Sequence, residues 1–252
     1  MFSGIRTIKN RRRKDSHPAF DEIRQSCMVE LGQKGFEASV YLLRGGVGVQ
    51  LSDKKHPSLA KIAHLPIIEF DFNYPGTPPL THLSFFPLTG LKFYQSDLAS
   101  FSLLEQFNLQ NLHLNGVQAS DFESLSVHDL IELSLKRTKV DSLNFLKDSS
   151  IETLFLSHTT INDQELKFLK GKPIRKIDLF KCPVSKLTDI NQEYLEEIII
   201  CGTQVEDLSP LSESPVRILE MRATKITSLS PLSKCPLEKL HLPGSKISCL
   251  KA

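Results

Sequence analysis

The stretch LEEIIICGTQVEDLSPL, from Leu195 to Leu211, is followed after four residues by VRILEMRATKITSLSPL, from Val216 to Leu232. Both stretches carry apolar residues at the same offsets, and both end in Leu-Ser-Pro-Leu. Self-similarity at a short fixed period is typical of repeat proteins, in which each unit stacks on its neighbours. These two segments therefore predict a fold built by stacking equivalent units.

The same unit continues in both directions from this pair, over residues 67–252. Its first position recurs every 21 residues, except that 23 residues separate Ile151 from Ile174, so one unit contains a two-residue insertion. Nine units result, and their first positions are Ile67, Leu88, Leu109, Leu130, Ile151, Ile174, Leu195, Val216 and Leu237.

Within a typical unit, apolar residues fall at positions 1, 4, 6, 11, 14 and 17. Positions 4 and 6 alternate as the inward residues of a strand do, whereas positions 11, 14 and 17 recur every three residues, as in a 3₁₀ helix. A lone unit buries too little apolar surface to offset the entropy lost when it is ordered. We therefore expect the units to share one core, with their strands paired in parallel into a curved sheet.

This pattern resembles the leucine-rich repeat, and the segments from Thr203 to Leu211 and from Thr224 to Leu232 look like the short-repeat class of bacterial internalins and phosphatase-regulating proteins. The resemblance implies an α/β leucine-rich repeat solenoid, with a concave parallel sheet and a convex side of 3₁₀ or short helical segments. The family usually has asparagine at position 9. The ladder of hydrogen bonds at that position is therefore expected to be weaker here, above all in the first three units, which have Pro75, Ser96 and Val117.

Residues 15–66 are predicted to form an N-terminal cap of one helix and one hairpin. The apolar residues between Pro18 and Leu31 fit a short amphipathic helix that ends near Gly32. The pair Gly45-Gly46, between two short apolar runs, is typical of a tight hairpin turn with positive φ. A degenerate tenth unit starts at Gly46, and its apolar positions are Val49, Leu51, Leu59 and Ile62.

The insertion unit and the last unit depart from the common pattern. In the insertion unit, Asn162 or Asp163 can cap a helix that Gly171 and Pro173 would stop, so we expect the one true helix of the convex side there. The last strand, from Lys239 to Pro243, has no following unit to cover it. Either its proline and lysines discourage edge pairing, or the exposed end meets a partner or a second copy in a homodimer.

The first 14 residues form a basic arm with six of the 31 lysines and arginines and none of the 29 acids, which leaves 25 basic residues against 29 acids in the remainder. Four interpretations stay open: a solvated disordered terminus, a tether to nucleic acid or an anionic surface, a nuclear address, or an organellar presequence. The residues that would carry the last three are Arg11, Arg12, Arg13 and Lys14.

The compartment expected from the sequence is the cytoplasm, with the nucleus or an organelle as the alternative if the basic arm is a targeting signal. No run of about 18 apolar residues predicts a membrane span, and the N-terminal region lacks the apolar stretch of a secretory signal. An odd number of cysteines at unrelated repeat positions indicates reduced thiols. These cysteines are Cys27, Cys182, Cys201, Cys235 and Cys249.

Outward strand positions of the later units are predicted to bind a protein partner. Phe155, Phe180, Ile199 and Ile218 occupy such positions in four consecutive units, and we expect one diagonal apolar patch on the concave face, with Cys201 beside it. The alternative is that a nearby loop covers these residues or that the repeat register slips locally. A rim of mixed charge favours a protein over a phosphate backbone, and its residues are Lys136, Arg137, His158, Lys176, Asp178, Lys181, Glu197, Glu220, Arg222 and Lys239.

Catalytic and metal motifs are not recognisable in the sequence. The segment from Arg44 to Val49 is glycine-rich but lacks the GxGxxG spacing and the lysine of a phosphate loop. The eight histidines and five cysteines form no HExxH or CxxC pattern. We therefore expect a non-catalytic binding scaffold without cofactor or metal. The alternative is an adaptor or regulatory subunit tethered through its basic arm.

Overall fold

The described residues form one 11-stranded sheet, and its strands follow one another in chain order. The computed structural model describes residues 18–98, 100–119, 121–125, 127–190 and 192–243. Helix α1, Pro18–Gln33, precedes the sheet. The strands are β1 Ala38–Leu43, β2 Gly46–Leu51, β3 Ile67–Phe72, β4 Gly90–Tyr94, β5 Asn111–Asn115, β6 Glu132–Ser134, β7 Thr153–Phe155, β8 Lys176–Asp178, β9 Glu197–Ile199, β10 Ile218–Glu220 and β11 Lys239–His241.

From β2 onwards every strand pairs in parallel with the next, as the repeat predicts. Position 4 of each unit lies opposite position 4 of its neighbour, so that Leu133, Leu154, Ile177, Ile198 and Leu219 form one continuous row. All five side chains have 0% exposure. Because equivalent residues stack at the strand spacing, the units share a single core, and the leucine-rich repeat solenoid expected from the sequence is confirmed.

Most return segments on the convex side are short 3₁₀ helices, as the three-residue spacing of their apolar positions indicates. Each of these helices buries one or two leucines, isoleucines or phenylalanines in the common core. Their bounds are Leu59–Ile62, Leu80–Phe85, Ser102–Leu104, Phe122–Ser124, Asn144–Leu146, Lys167–Leu169, Ser209–Leu211 and Ser230–Lys234.

The N-terminal helix and hairpin are both present, and the degenerate tenth unit pairs its strand β2 in parallel with β3. The turn of the hairpin differs by one residue from the prediction. It consists of Arg44 and Gly45, with φ of 98° at Gly45, and Gly46 already pairs with Leu43. A Cβ atom on Gly46 would lie 2.6 Å from the carbonyl oxygen of Pro66, so this second glycine serves a close backbone approach instead of a turn.

The insertion unit forms helix α2, Asp163–Leu166, which continues as a 3₁₀ segment. Among the described residues, it is the one convex segment with an α-helical turn, as predicted. The side chain of Asn162 caps it by accepting a hydrogen bond from the amide of Gln164 at 2.9 Å. Asp163 accepts hydrogen bonds from the amides of Ser185 and Lys186 in the following unit, at 2.8 and 3.0 Å, and so ties two units together.

The threonines at position 9 bond mainly within their own unit. The hydroxyls of Thr138, Thr159 and Thr203 each donate to the carbonyl oxygen of position 6 at 2.7 Å. Cys182 differs, because its thiol lies 3.0 Å from the carbonyl oxygen of Leu156 in the preceding unit. The hydroxyls therefore satisfy buried backbone acceptors. That of Thr159 also contacts the neighbouring unit, where it lies 3.5 Å from the sulfur of Cys182.

Two predicted features lie outside the described residues: the basic arm with Arg11, Arg12, Arg13 and Lys14, and the last unit beyond Pro243. Within the described residues, no helix has both the length and the apolar character needed to cross a bilayer.

Candidate functional site

The predicted patch lies on the concave face of strands β7 to β10, where side chains at positions 3, 5 and 7 point away from the core. The register places Phe155, Asp178 and Ile199 side by side across three neighbouring strands. Ile218 lies one strand further, opposite Glu197. The carboxylate of Asp178 therefore stands between Phe155 and Ile199 at this level of the sheet, and the apolar patch stays a prediction.

Asp178 holds the centre of this surface together, and it is only 4% exposed. Its carboxylate accepts hydrogen bonds from the hydroxyl of Ser157 at 2.5 Å and from the amide of Phe180 at 3.0 Å. It also forms an ion pair with Lys136 at 2.7 Å. A buried carboxylate needs this full set of partners. It therefore fixes Lys136, Ser157 and Phe180 relative to one another.

Phe155 is half-buried, and neighbouring side chains account for its burial. The ammonium groups of Lys136 and Lys176 lie 4.5 and 5.5 Å from the centre of its ring, within the range of cation–π attraction. His113 adds an edge contact, with ring centroids 6.1 Å apart. Because Lys176 is in turn paired with Glu197 at 2.8 Å, both lysines are held over the aromatic ring by ion pairs.

In seven units the residue at position 8 has a left-handed backbone at the carboxyl end of its strand, and these residues form a rim. All of them except Ala223 donate their amide to the position 7 carbonyl of the next unit, for example Arg137 to Ser157 at 2.9 Å. This turn leads the chain from the sheet to the convex side, and non-glycine residues tolerate it at a cost. The residues with positive φ at this position are Gln95, Gly116, Arg137, His158, Lys181, Gly202 and Ala223.

The rim brings Phe180, His158 and Lys181 together. The rings of His158 and Phe180 meet edge to face with centroids 5.0 Å apart, and the Lys181 ammonium lies 5.3 Å from the Phe180 ring centre. Partial desolvation, followed by the nearby positive charges of Lys181 and Arg137, lowers the pKa of His158. The imidazole therefore favours its neutral form, as suits a ring that packs against an aromatic edge.

The isoleucine end of the surface is less exposed than the sequence indicated. Ile199 and Ile218 are half-buried, and Cys201 is 8% exposed. The sulfur of Cys201 accepts a hydrogen bond from the amide of Arg222 at 3.2 Å, and burial raises the pKa of its thiol. This cysteine is therefore a packing residue between two strands, and not a reactive group.

The sequence did not predict a second polar network at the N-terminal end of the concave face. Tyr41, from the cap hairpin, donates its hydroxyl to Glu69 at 2.5 Å, and Lys92 pairs with the same carboxylate oxygen at 2.5 Å. Burial and the adjacent Glu69 raise the pKa of Tyr41. A Cβ atom on Gly90 would overlap the Glu69 carboxylate. This network closes the junction between cap and repeats, and it could not be foreseen because Tyr41 lies outside the repeat pattern.

His113 and Glu132 form a polar pair between the two ends, with their side chains 2.6 Å apart. The hydrogen bond from His113 lowers the pKa of Glu132 against the opposing effect of desolvation. Among the described residues, no three histidine, cysteine, aspartate or glutamate side chains converge in a way that could hold a metal ion. The arrangement offers shape, aromatic edges and fixed charges, which are the means of recognising another molecule.

Comparisons with known proteins agree on the fold. No protein-family model matches the chain, and no curated protein matches it. Among solved structures, an internalin (inlF) of Listeria monocytogenes superimposes with a TM-score of 0.61 and 18% identity, over 91% of this chain and 76% of the internalin. Internalin C2 of the same organism gives 0.55 and 19%, over 70% and 80%. A plant ice-binding protein gives 0.55 and 14%, over 88% and 86%.

Proposed function

We propose that this leucine-rich repeat solenoid binds a protein partner on the concave face of strands β7 to β10, without catalysing a reaction. The observation that carries the proposal is the cluster of half-buried aromatic and aliphatic side chains on a rigid sheet, with charged residues around it. The predicted contact residues are Phe155, Phe180, Ile199, Ile218, Lys136, Arg137, His158, Lys181, Glu197, Glu220 and Arg222.

The side chains in this surface are held in place before a partner arrives, and this supports the proposal. Lys136 is fixed by Asp178, and Lys176 is fixed by Glu197. Ordering rotamer-rich side chains on binding costs about 0.5–1.5 kcal/mol each. Because these lysines are already ordered by their ion pairs, binding costs less conformational entropy. Aromatic rings beside desolvated charges are also the usual composition of interface hot spots.

Phe180 is the residue that we expect to matter most for binding. It lies at the rim, where one lysine and one histidine contact its ring. Phe155, by contrast, lies under two lysines that would have to move aside or contact the partner themselves. Truncation of an aromatic hot-spot residue typically weakens an interface by about 2 kcal/mol or more. Loss of partner binding should therefore be larger for Phe180→Ala than for Phe155→Ala.

The test is affinity capture from the source cell with immobilised wild-type chain, followed by mass spectrometry and quantification of the captured partner. Phe180→Ala should lose the partner that the wild type captures. Phe85→Ala is the matched control, because Phe85 is 54% exposed on a convex 3₁₀ segment. It should capture that partner as the wild type does.

Thermal unfolding of all variants separates loss of binding from loss of folding. Both phenylalanines of the site contact other side chains, so a small decrease in melting temperature is expected for each. The proposal fails if Phe180→Ala keeps the partner, or if Phe85→Ala and Phe180→Ala lose it equally while both remain folded.

The alternative function, a tether through the basic arm, stays a prediction. Deletion of residues 1–14 should then remove an association that weakens with added salt, because phosphate-rich ligands bind through release of counterions. Partner capture that survives this deletion and depends on Phe180 would favour the concave face.

A further inference from the structure

The charges on the concave sheet surface largely compensate one another. Lys136 pairs with Asp178, Lys176 pairs with Glu197, and Lys92 pairs with Glu69. Several charged side chains around the patch are therefore paired with each other inside the molecule. Within the described residues, the unpaired charged side chains at the carboxyl ends of the strands, at positions 7 and 8, are all positive.

Three exposed cations follow this edge: Arg137 and Lys181 at position 8, and Arg222 at position 7. None of the three is paired with an acidic side chain within the described residues. We call them the basic edge. The nearest acids on the same strands are Asp178, which is buried in its own network, and Glu220, which lies on the sheet two residues before Arg222.

The spacing of the basic edge is set by the strands. Arg137 and Lys181 belong to units two strands apart, and Arg222 follows two strands later. With about 4.8 Å between neighbouring strands, the three charges are spread over about 20 Å. An extended peptide rises about 3.3 Å per residue, so about six residues cover the whole row.

The backbone holds these charges in position. Arg137 and Lys181 sit in the left-handed turn that recurs in seven units, with φ of 58° and 57°. Their amides are bonded to the next unit at 2.9 Å each. Between them, His158 is half-buried against Phe180, which places an apolar surface beside the row of cations.

We propose that the basic edge binds an extended acidic peptide segment of the protein partner, with an apolar residue of that segment against Phe180. This inference rests on the proposed function and specifies the chemistry of the partner. Three like charges without acidic partners repel one another, and an acidic peptide relieves that repulsion. A nucleic acid would need more free cations than these three, because Lys92, Lys136 and Lys176 on the adjoining sheet are each already paired with a carboxylate.

The test uses a fluorescein-labelled hexaglutamate peptide and a second peptide in which one central glutamate is phenylalanine. Binding to the full chain is followed by fluorescence anisotropy at ionic strengths of about 0.01 and 0.15 M. Wild type should bind both peptides, more tightly at low salt, and should prefer the peptide that contains phenylalanine.

Charge reversal at the edge, Arg137→Glu with Lys181→Glu and Arg222→Glu, should weaken binding at least about tenfold. The matched control reverses three exposed lysines on the convex side, Lys61, Lys147 and Lys170. It changes the net charge equally and should leave the affinity within about twofold of wild type. If both variants lose affinity equally, or neither does, the peptide does not bind at the edge and the inference is overturned.

A neutral variant distinguishes loss of charge from loss of folding. Arg137→Gly with Lys181→Gly and Arg222→Gln removes the charges without reversing them, and glycine already occupies the same position in two other units, at Gly116 and Gly202. It should unfold no more easily than wild type and still bind the peptides at least about tenfold more weakly.

Two further outcomes distinguish an acidic peptide from a nucleic acid as the ligand, and the acidic-peptide inference from the proposed function. If a six-nucleotide oligothymidylate binds more tightly than hexaglutamate and charge reversal abolishes that binding, the edge is a nucleic-acid site and the inference is wrong. If the charge-reversed chain still captures the partner that Phe180→Ala loses, the concave face binds its partner without the edge. In that case the proposed function stands, and the acidic-peptide inference falls.

Discussion

In seven units, the residue at position 8 turns the chain at the end of its strand and has a left-handed backbone. Seven units have Gln, Gly, Arg, His, Lys, Gly and Ala at this position. The position therefore constrains the backbone conformation but accepts many side-chain types. A non-glycine residue in this region costs about 1 kcal/mol or more. Where arginine, histidine and lysine occur instead of glycine, a side chain is gained at the rim in exchange for strain.

Ala223→Gly should therefore stabilise the protein. Ala223 has φ of 53° and an exposed side chain, so the substitution relieves strain without removing packing. We expect the free energy of unfolding to rise by about 0.5–1 kcal/mol, after the greater entropy of glycine in the unfolded chain is counted. Urea denaturation followed by circular dichroism measures the change.

The control is Gln204→Gly, at an exposed position without positive φ. Here glycine brings only its entropic cost, and stability should fall by about 0.5–1 kcal/mol. Equal losses in the two variants would show that the left-handed turn carries no strain.

Among the elements, strands β6 to β8 depend on one buried carboxylate. Asp178 of β8 receives Lys136 from the unit of β6 and Ser157 from the unit of β7. Asp178→Ala leaves a lysine and a hydroxyl beside a buried site without their acceptor, and should lower the free energy of unfolding by about 2–3 kcal/mol. Because the Lys136 side chain is 36% exposed, solvent relieves part of the loss and keeps the effect below that of a fully buried pair.

The exposed ion pair between Glu213 and Lys234 is the control for this prediction. Its side chains are 75% and 70% exposed, and Glu213→Ala should change the midpoint of urea denaturation very little. A loss for Asp178→Ala no greater than that for Glu213→Ala would mean that the carboxylate does not organise the surface. The binding face would then be less rigid than we infer.

At the scale of the whole molecule, the sequence predicts the solenoid because every unit repeats the same inward residues. Leu133 and Leu154 are separated by 21 residues and lie side by side, and one period therefore determines register, strand order and core. Helix α2 was predictable from local sequence, because its capping residue and the glycine and proline that follow it all lie within the insertion unit.

The surface was less predictable than the core, because it depends on contacts between units that a period does not encode. Lysine at position 7 gives no sign that Lys136 covers Phe155 and reaches Asp178 two strands away. The position of Asp178 between Phe155 and Ile199 was implicit in the register, but its burial depends on Ser157 and Phe180. The ion pairs of long polar side chains depend on the three-dimensional structure. These pairs determine which charged side chains remain available to bind another protein.

Site-specific photo-crosslinking tests most directly whether the concave face is the binding surface. A photoreactive phenylalanine analogue replaces Phe180 in one chain and Phe85 in another, and each is irradiated with the captured partner. We predict a covalent adduct with the partner from position 180 and none from position 85. An adduct from position 85 alone would place the partner on the convex side and exclude the concave face as the binding surface.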